Sequence, residues 1–273
     1  MLKTRLENVR ANTPLIHNIT NYVTVNDCAN ILLACGASPI MSDEIAEVEE
    51  ITSLCGGLNL NIGTLNRRTI ESMLCAGKKA NALSHPVILD PVGAGASTLR
   101  TQTAHRLLDA LHFAVIRGNV SEIKALALGS ETTKGVDADL ADTVREDSLA
   151  QAIDFAKSFS RETGAVIAMT GAIDIVADDK TAYVIRNGHA MMSKITGTGC
   201  MLTAMTAAYL VANPDSPLEA AAAAVCAMGL CGERAHARLA PNDGNASYRT
   251  YLLDEVYQLD GERLESGAKY ELR

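Results

Sequence analysis

The chain has 273 residues, 48% of them hydrophobic, no Trp, three Phe and a formal net charge of −8. That length and apolar content can fill the core of one large α/β domain or two small ones, while the negative charge argues against a nucleic-acid or anionic-membrane surface, because phosphates would be repelled. Seven cysteines, an odd number without paired CxxC spacing, argue against a zinc site or a disulfide scaffold and fit free thiols in a reducing cytosol.

Met1 to Glu7 is charged and lacks the apolar centre of a signal peptide. The longest apolar runs, Cys200–Ala212 and Ala220–Gly232, are about 13 residues each, short of the roughly 18–20 that cross a bilayer. A cytoplasmic protein without a membrane partner is expected. Met1 to Arg10 reads as a short amphipathic helix with Leu2, Leu6 and Val9 on one side. Pro14 to Ile19 is a short strand that runs into Thr20-Asn21-Tyr22. His17 in that strand fits a core position better than a catalytic base, whereas Asn21, an amide at a strand end, can hydrogen-bond a ring nitrogen or hydroxyl of a ligand. Helical period runs from Val23 to Leu33 and closes at Cys35-Gly36. Ala37 to Met41 is a second short strand; Met41 at its end can fill a core or face an aromatic heterocycle, and the residue pattern alone favours the core. Five acids between Asp43 and Glu50 form a solvated helix face. Leu58 to Thr64 alternates like a strand and ends on a glycine turn, followed by a helix from Arg67 to Leu83.

In His85 to Ala96 a buried-strand run leads straight into Asp90 and a Pro/Gly-rich loop. A parallel sheet would place that carboxylate at its C-terminal edge, where ligands bind. There it could hold a Mg²⁺-bound water or simply cap the next turn. Phe113 to Glu122 repeats the design: a strand ends at Arg117, suited to phosphate oxygens, and Asn119 to Glu122 opens a helix from which Glu122 could help hold hydrated magnesium. Lys134 to Asp147, with five acids and little period, reads as a loop entering a helix over Ser148–Thr163. Ala165 to Gly171 is another buried strand, with the Thr170 hydroxyl at its tip for phosphate. Ile173–Ala177 and Thr181–Arg186 make an antiparallel hairpin at the sheet edge.

Lys194-Ile195-Thr196-Gly197-Thr198-Gly199-Cys200 then opens a helix-like run from Met201 to Ala212. Glycines here let a ligand approach the main chain, and the unpaired first-turn N–H groups of the helix can hold an anion without a basic side chain. Cys200 sits where those dipoles favour its thiolate. A close-packed glycine turn with a cysteine in it explains the same residues without a ligand. An alanine-rich helix over Leu218–Leu239 and a last helix over Ser247 to Leu259 precede a charged tail expected to fray.

Strands alternating with helices predict a three-layer α/β/α domain with a mainly parallel sheet, read as one domain over residues 1–273 without a separate lid domain. There is no GxxxxGK[ST], no GxGxxG with an acidic partner, no HExxH and no GxSxG. The chain resembles the hydroxyethylthiazole kinases of the ribokinase-like superfamily over nearly its whole length. The resemblance is carried by His17-Asn18-Ile19-Thr20-Asn21, Gly36 to Met41, Leu60-Asn61-Ile62-Gly63-Thr64, Leu89 to Gly95, Ile116 to Asn119 with Glu122, Thr170-Gly171, and Thr196 to Cys200, all in the right order.

The resemblance implies ATP-dependent phosphorylation of 4-methyl-5-(2-hydroxyethyl)thiazole, a salvage step in thiamine synthesis, with Mg²⁺. By position it implies Met41, Asn21, Val23 and Gly197 at the thiazole and Arg117 and Thr170 at the ATP phosphates. It also implies Asp90 and Glu122 at the hydrated metal, the amides of Gly197, Thr198, Gly199 and Cys200 as an anion hole, and a homotrimer with sites between subunits. Most ribokinase-like enzymes carry Gly-x-Gly-Asp, the Asp serving as general base. Here the fourth position is Cys200, a variant that also occurs within the thiazole kinases. A thiol near pKa ~8.5, lowered by a helix N-terminus, should assist the reaction without being indispensable. Other ribokinase-like activities (a hydroxymethylpyrimidine kinase, a hydrate dehydratase), a cysteine-nucleophile transferase and a non-catalytic sensor of thiamine precursors remain as alternatives.

Overall fold

A computed structural model describes residues 1–128 and 143–273; the expected loop from Lys134 therefore lies, up to residue 142, outside the described residues. Among these, nine strands form one sheet: β1 (Leu15–Ile19), β2 (Ser38–Met41), β3 (Gly57–Asn61), β4 (Val87–Asp90), β5 (Val115–Asn119), β6 (Val166–Thr170), β7 (Asp174–Ala177), β8 (Ala182–Ile185) and β9 (Tyr270–Leu272). Their spatial order is β2-β1-β3-β4-β5-β6-β7-β8-β9. Pairs from β2 through β6 are parallel, and the three pairs beyond β6 are antiparallel.

Successive strand residues point to opposite faces, so each short apolar run feeds two cores. Ile88 and Val115 pack with Ile31, Met201 and Ala220, from the helices Val25–Cys35, Thr198–Ala212 and Pro217–Ala237. Leu89 and Ile116 pack on the other face with Met73 and Phe155, from the helices Arg67–Ala82 and Leu149–Thr163. This is the expected α/β/α arrangement. Ala220 to Ala224 are completely buried, which explains the alanine run: small side chains let that helix lie close to its neighbours.

Several boundaries differ from the expectation, among them that the helix expected to carry the acids from Asp43 to Glu50 begins only at Val48 and the strand expected to run to Thr64 ends at Asn61. β5 continues past Arg117 because Gly118 and Asn119 keep pairing with Met169 and Thr170 of β6. The helix after the glycine turn begins at Thr198, so Cys200 lies inside its first turn. The C-terminal tail is ordered as the helix Gly261–Gly267 followed by β9, which pairs with β8 and removes the hairpin from the sheet edge. Its charges are paired within the fold: Glu265 binds the N-terminal ammonium at 2.9 Å, and Lys269 Nζ meets Glu233 at 2.7 Å.

The chain leaves β1 toward β2 on one side, while β3 leads toward β4 on the other. Between β1 and β3 the carboxyl ends of the strands therefore open a crevice, the usual ligand position in such sheets. Asn61, Asp90 and Thr170 end β3, β4 and β6; Asn21 follows β1 by two residues, and Arg117 lies in β5.

Candidate active site

Gly197 is the N-cap of the Thr198–Ala212 helix at φ 88°, in the left-handed region, and no side chain among the described residues caps that helix. A Cβ at Gly197 would lie 2.7 Å from Thr24 Cγ2, so conformation and space both require glycine there. The first-turn N–H groups of Thr198, Gly199 and Cys200 have no carbonyl one turn earlier to bond. Gly199 is covered by the Arg117 guanidinium, which occupies the space a Cβ would need.

Facing the turn, Asp90 is fully buried. Its Oδ2 accepts from Asn61 Nδ2 at 2.7 Å and Thr203 Oγ1 at 2.8 Å, with Arg117 Nη1 3.8 Å away. Its Oδ1 is buried without a partner among the described residues. Burial pushes the Asp90 carboxyl up to about 6; Arg117 pulls the other way, and Glu122 adds to the rise. Arg117 Nη2 also donates to Thr170 Oγ1.

Asn61 joins these groups. Its Nδ2 donates to Asp90 and, at 3.3 Å, to Cys200 Sγ; its Oδ1 accepts from Asn21 Nδ2 and from the Gly63 amide, each at 2.9 Å. Asn21 Nδ2 donates to Cys200 Sγ as well, at 3.3 Å. The environment corrects the expectation for the thiol: burial first, and Asp90 second, push the Cys200 pKa up, although Thr24, Asn21 and Asn61 hydrogen-bond the sulfur. The protonated thiol is thus the resting form. Its partners are amides and a hydroxyl, with no histidine among them, which removes the support for a cysteine nucleophile.

Glu122 closes a capping box with Asn119: Glu122 Oε2 accepts from the Asn119 amide at 2.8 Å, and Asn119 Oδ1 accepts from the Glu122 amide at 2.9 Å. Its Oε1 accepts from the Gly93 amide at 2.8 Å, tying the loop after β4 to the end of β5.

The expected residues divide among three cavities. Asn21, Val23, Asp90, Arg117, Glu122, Gly197, Gly199 and Cys200 line a crevice of about 360 Å³. Thr170 and Thr198 line a cleft of about 710 Å³, which shares Arg117, Asn119 and Gly199 with the crevice. Met41 stands apart, in a recess of about 160 Å³ beside Asn18 and Tyr22. Asn61 and Thr203 had no assigned role in the sequence; the signal for Asn61 was its place in the Leu60-to-Thr64 block, and for Thr203 the one-turn spacing from Gly199, whose carbonyl it also binds at 3.1 Å. No group of three or more His, Cys, Asp and Glu among the described residues forms a cage for a metal ion.

Residues 6–262 match the model of the hydroxyethylthiazole kinase family. The chain is 70% identical over 271 residues to the hydroxyethylthiazole kinase of Clostridium acetobutylicum, covering 99% of each. The chain belongs to the hydroxyethylthiazole kinase family. It is accordingly a kinase that uses ATP as co-substrate and an alcohol group as acceptor. The structure of a hydroxyethylthiazole kinase protein from Pyrococcus horikoshii OT3 superposes with a TM-score of 0.87 at 34% identity, covering 100% of this chain and 98% of that one. A ribokinase-like superfamily protein from Enterococcus faecalis V583 shares the fold, with a TM-score of 0.60 at 14% identity over 93% of this chain and 95% of that one. No helix among the described residues of this family member is long and apolar enough to cross a membrane.

Proposed function

We propose that the enzyme carries the terminal phosphoryl group of ATP to the hydroxyl of 4-methyl-5-(2-hydroxyethyl)thiazole, a salvage step of thiamine biosynthesis, by in-line transfer where the two larger cavities meet. One observation carries this reading: Arg117 and Gly199 line both cavities, so a cation and an uncapped helix end stand where a group must pass from one to the other. The nucleotide lies in the larger cleft with its phosphates on Arg117 and Thr170. The alcohol lies in the crevice against Gly197, Asn21 and Val23. The amides of Gly197, Thr198, Gly199 and Cys200 form the anion hole, and in such reactions positioning and charge stabilisation supply most of the catalysis. Cys200 assists as a weak hydrogen-bonding partner and late proton acceptor for the attacking hydroxyl, in keeping with its raised pKa.

Asp90 and Glu122 would hold hydrated Mg²⁺. The fit rests on the unpartnered Asp90 Oδ1 and on two carboxylates lining one crevice; such a site suits an ion that keeps several of its waters. When bound, the metal would neutralise phosphate charge. Met41 would complete the thiazole site in a homotrimer with sites between subunits: its recess is separate from the crevice, and the adjoining Tyr22 and Val23 are 78% and 57% exposed, leaving an apolar rim for a second copy to cover. The same reading takes the chain as a single domain acting in the cytoplasm.

The test is a coupled ADP-release assay over a panel of thiazole and pyrimidine alcohols, with and without Mg²⁺. Mg²⁺-dependent turnover of the thiazole alcohol is expected; turnover confined to a pyrimidine alcohol, or unaffected by chelation, contradicts the proposal.

A further inference from the structure

Beyond Thr170 the large cleft reaches Asp174, the first residue of β7, which the phosphate chemistry leaves unused. Asp174 Oδ1 accepts from the Gly171 amide at 2.8 Å, so the side chain is fixed across the turn between β6 and β7. Its Oδ2 has no hydrogen-bond partner among the described residues, and the side chain is part of the cleft wall. No other Asp or Glu among the described residues lines this cleft. Two neighbouring polar side chains, Asn187 and His189, already hold hydrogen bonds. Asn187 donates to Glu233 at 3.2 Å and to the Gly267 carbonyl at 3.0 Å, and accepts from the Lys269 amide at 2.7 Å. His189 Nδ1 accepts from the Met191 amide at 3.1 Å.

The cleft wall therefore carries a guanidinium and a hydroxyl, at Arg117 and Thr170, and a carboxylate at Asp174 across the turn between β6 and β7. A phosphate is repelled by that carboxylate, whereas a sugar hydroxyl donates to it; ribose recognition by an acidic side chain is a general solution in nucleotide sites. We propose that Asp174 binds a ribose hydroxyl of the nucleotide and so selects ribonucleotides over deoxyribonucleotides. Desolvation pushes its carboxyl up to about 7, against the pull of the Gly171 amide and Arg117; a half-buried acid with a shifted pKa and a free oxygen on a cavity wall is a typical sign of ligand contact.

The inference rests on the reading that the nucleotide fills this cleft with its phosphates at Arg117. The test compares kcat/KM for ATP, 2′-deoxy-ATP and 3′-deoxy-ATP in the unaltered enzyme, Asp174→Asn, Asp174→Ala and Arg117→Met. Asp174→Asn can keep the bond to Gly171, which guards against misfolding. The unaltered enzyme should disfavour at least one deoxy nucleotide by about tenfold or more, as expected for a hydrogen bond to a charged group. Both Asp174 variants should reduce that penalty to less than about twofold and leave KM for the thiazole alcohol unchanged. Equal use of all three nucleotides by the unaltered enzyme, or Asp174 variants that weaken all three alike, overturns the assignment. Arg117→Met separates the two failures: if it raises KM equally for all three nucleotides, the phosphate placement stands and only the ribose contact is lost. If it leaves KM for ATP unchanged, the placement of the nucleotide itself fails.

Discussion

The two walls of the transfer crevice are made of different materials. The helix wall, from Gly197 to Cys200, acts through main-chain N–H groups and depends on the absence of side chains at two positions. The strand wall acts through side chains: Asn21, Asn61 and Asp90 joined by hydrogen bonds, and Arg117 paired with Asp90 at 3.8 Å. Damage to the first should be steric and nearly complete, whereas damage to the second should be electrostatic, graded and sensitive to pH.

The largest effect is expected on the helix wall. In Gly199→Ala the new methyl strikes Arg117, displacing the cation from the point of transfer; kcat/KM should fall about 100-fold or more while circular dichroism stays native. Retention of more than a tenth of the activity would break the steric half of the comparison. On the strand wall, Asn61→Ala removes donors to Asp90 and Cys200 together. It should lower kcat by about tenfold to 100-fold, on the order of one or two hydrogen bonds to charged or polar groups, with little change in KM for ATP. An unchanged kcat would show that the amide hub is only packing.

Asp90 sharpens the contrast through pH. Its folded pKa, about 6, lies above the ordinary aspartate value of 3.8, so the folded state holds the proton more tightly. The stability it contributes is full below pH 4 and is lost as pH rises through about 6. Above pH 7 the buried carboxylate then costs on the order of 3 kcal/mol. Asp90→Asn should lower kcat/KM less than Gly199→Ala does, yet raise Tm by several degrees at pH 8, and by clearly less at pH 5. Calorimetry at the two pH values reads this directly; a lower Tm at pH 8 would mean that Arg117, Asn61 and Thr203 more than offset the burial. The smallest effect is expected at Cys200, whose raised pKa leaves little thiolate. Cys200→Ala should keep turnover within about tenfold, as for a supporting proton acceptor, and Cys200→Asp should match or exceed the native rate if proton acceptance limits it. Complete loss of turnover in Cys200→Ala, with substrate still bound, would make the thiol essential.

The two walls were also unequally legible in the sequence. Glycines at a strand-to-helix turn announce themselves locally, and so do Asp90 and Thr170 at the tips of apolar strands and Arg117 just after the apolar run of β5. The layered fold followed from the same alternation, because strand burial is written in short apolar runs. Asn61 was harder to read, since an amide at a strand end looks alike whether it faces water or links three buried groups; only the register of β1, β3 and β4 brings Asn21, Asn61 and Asp90 together. The thiol was misjudged because a helix dipole is a local property, while the burial that outweighs it comes from distant segments. The tail, expected to fray, is ordered for a similar reason: Glu265 and Lys269 find their partners Met1 and Glu233 far away in the chain. Met41 was expected with the thiazole residues, yet its recess is separate within one chain.

The most direct measurement is a crystal structure with a non-hydrolysable β,γ-methylene analogue of ATP. The account predicts the terminal phosphate within hydrogen-bond reach of the Gly199 and Cys200 amides, beside the Arg117 guanidinium. A terminal phosphate seated instead in the Met41 recess, or anywhere out of reach of that helix end, would contradict it.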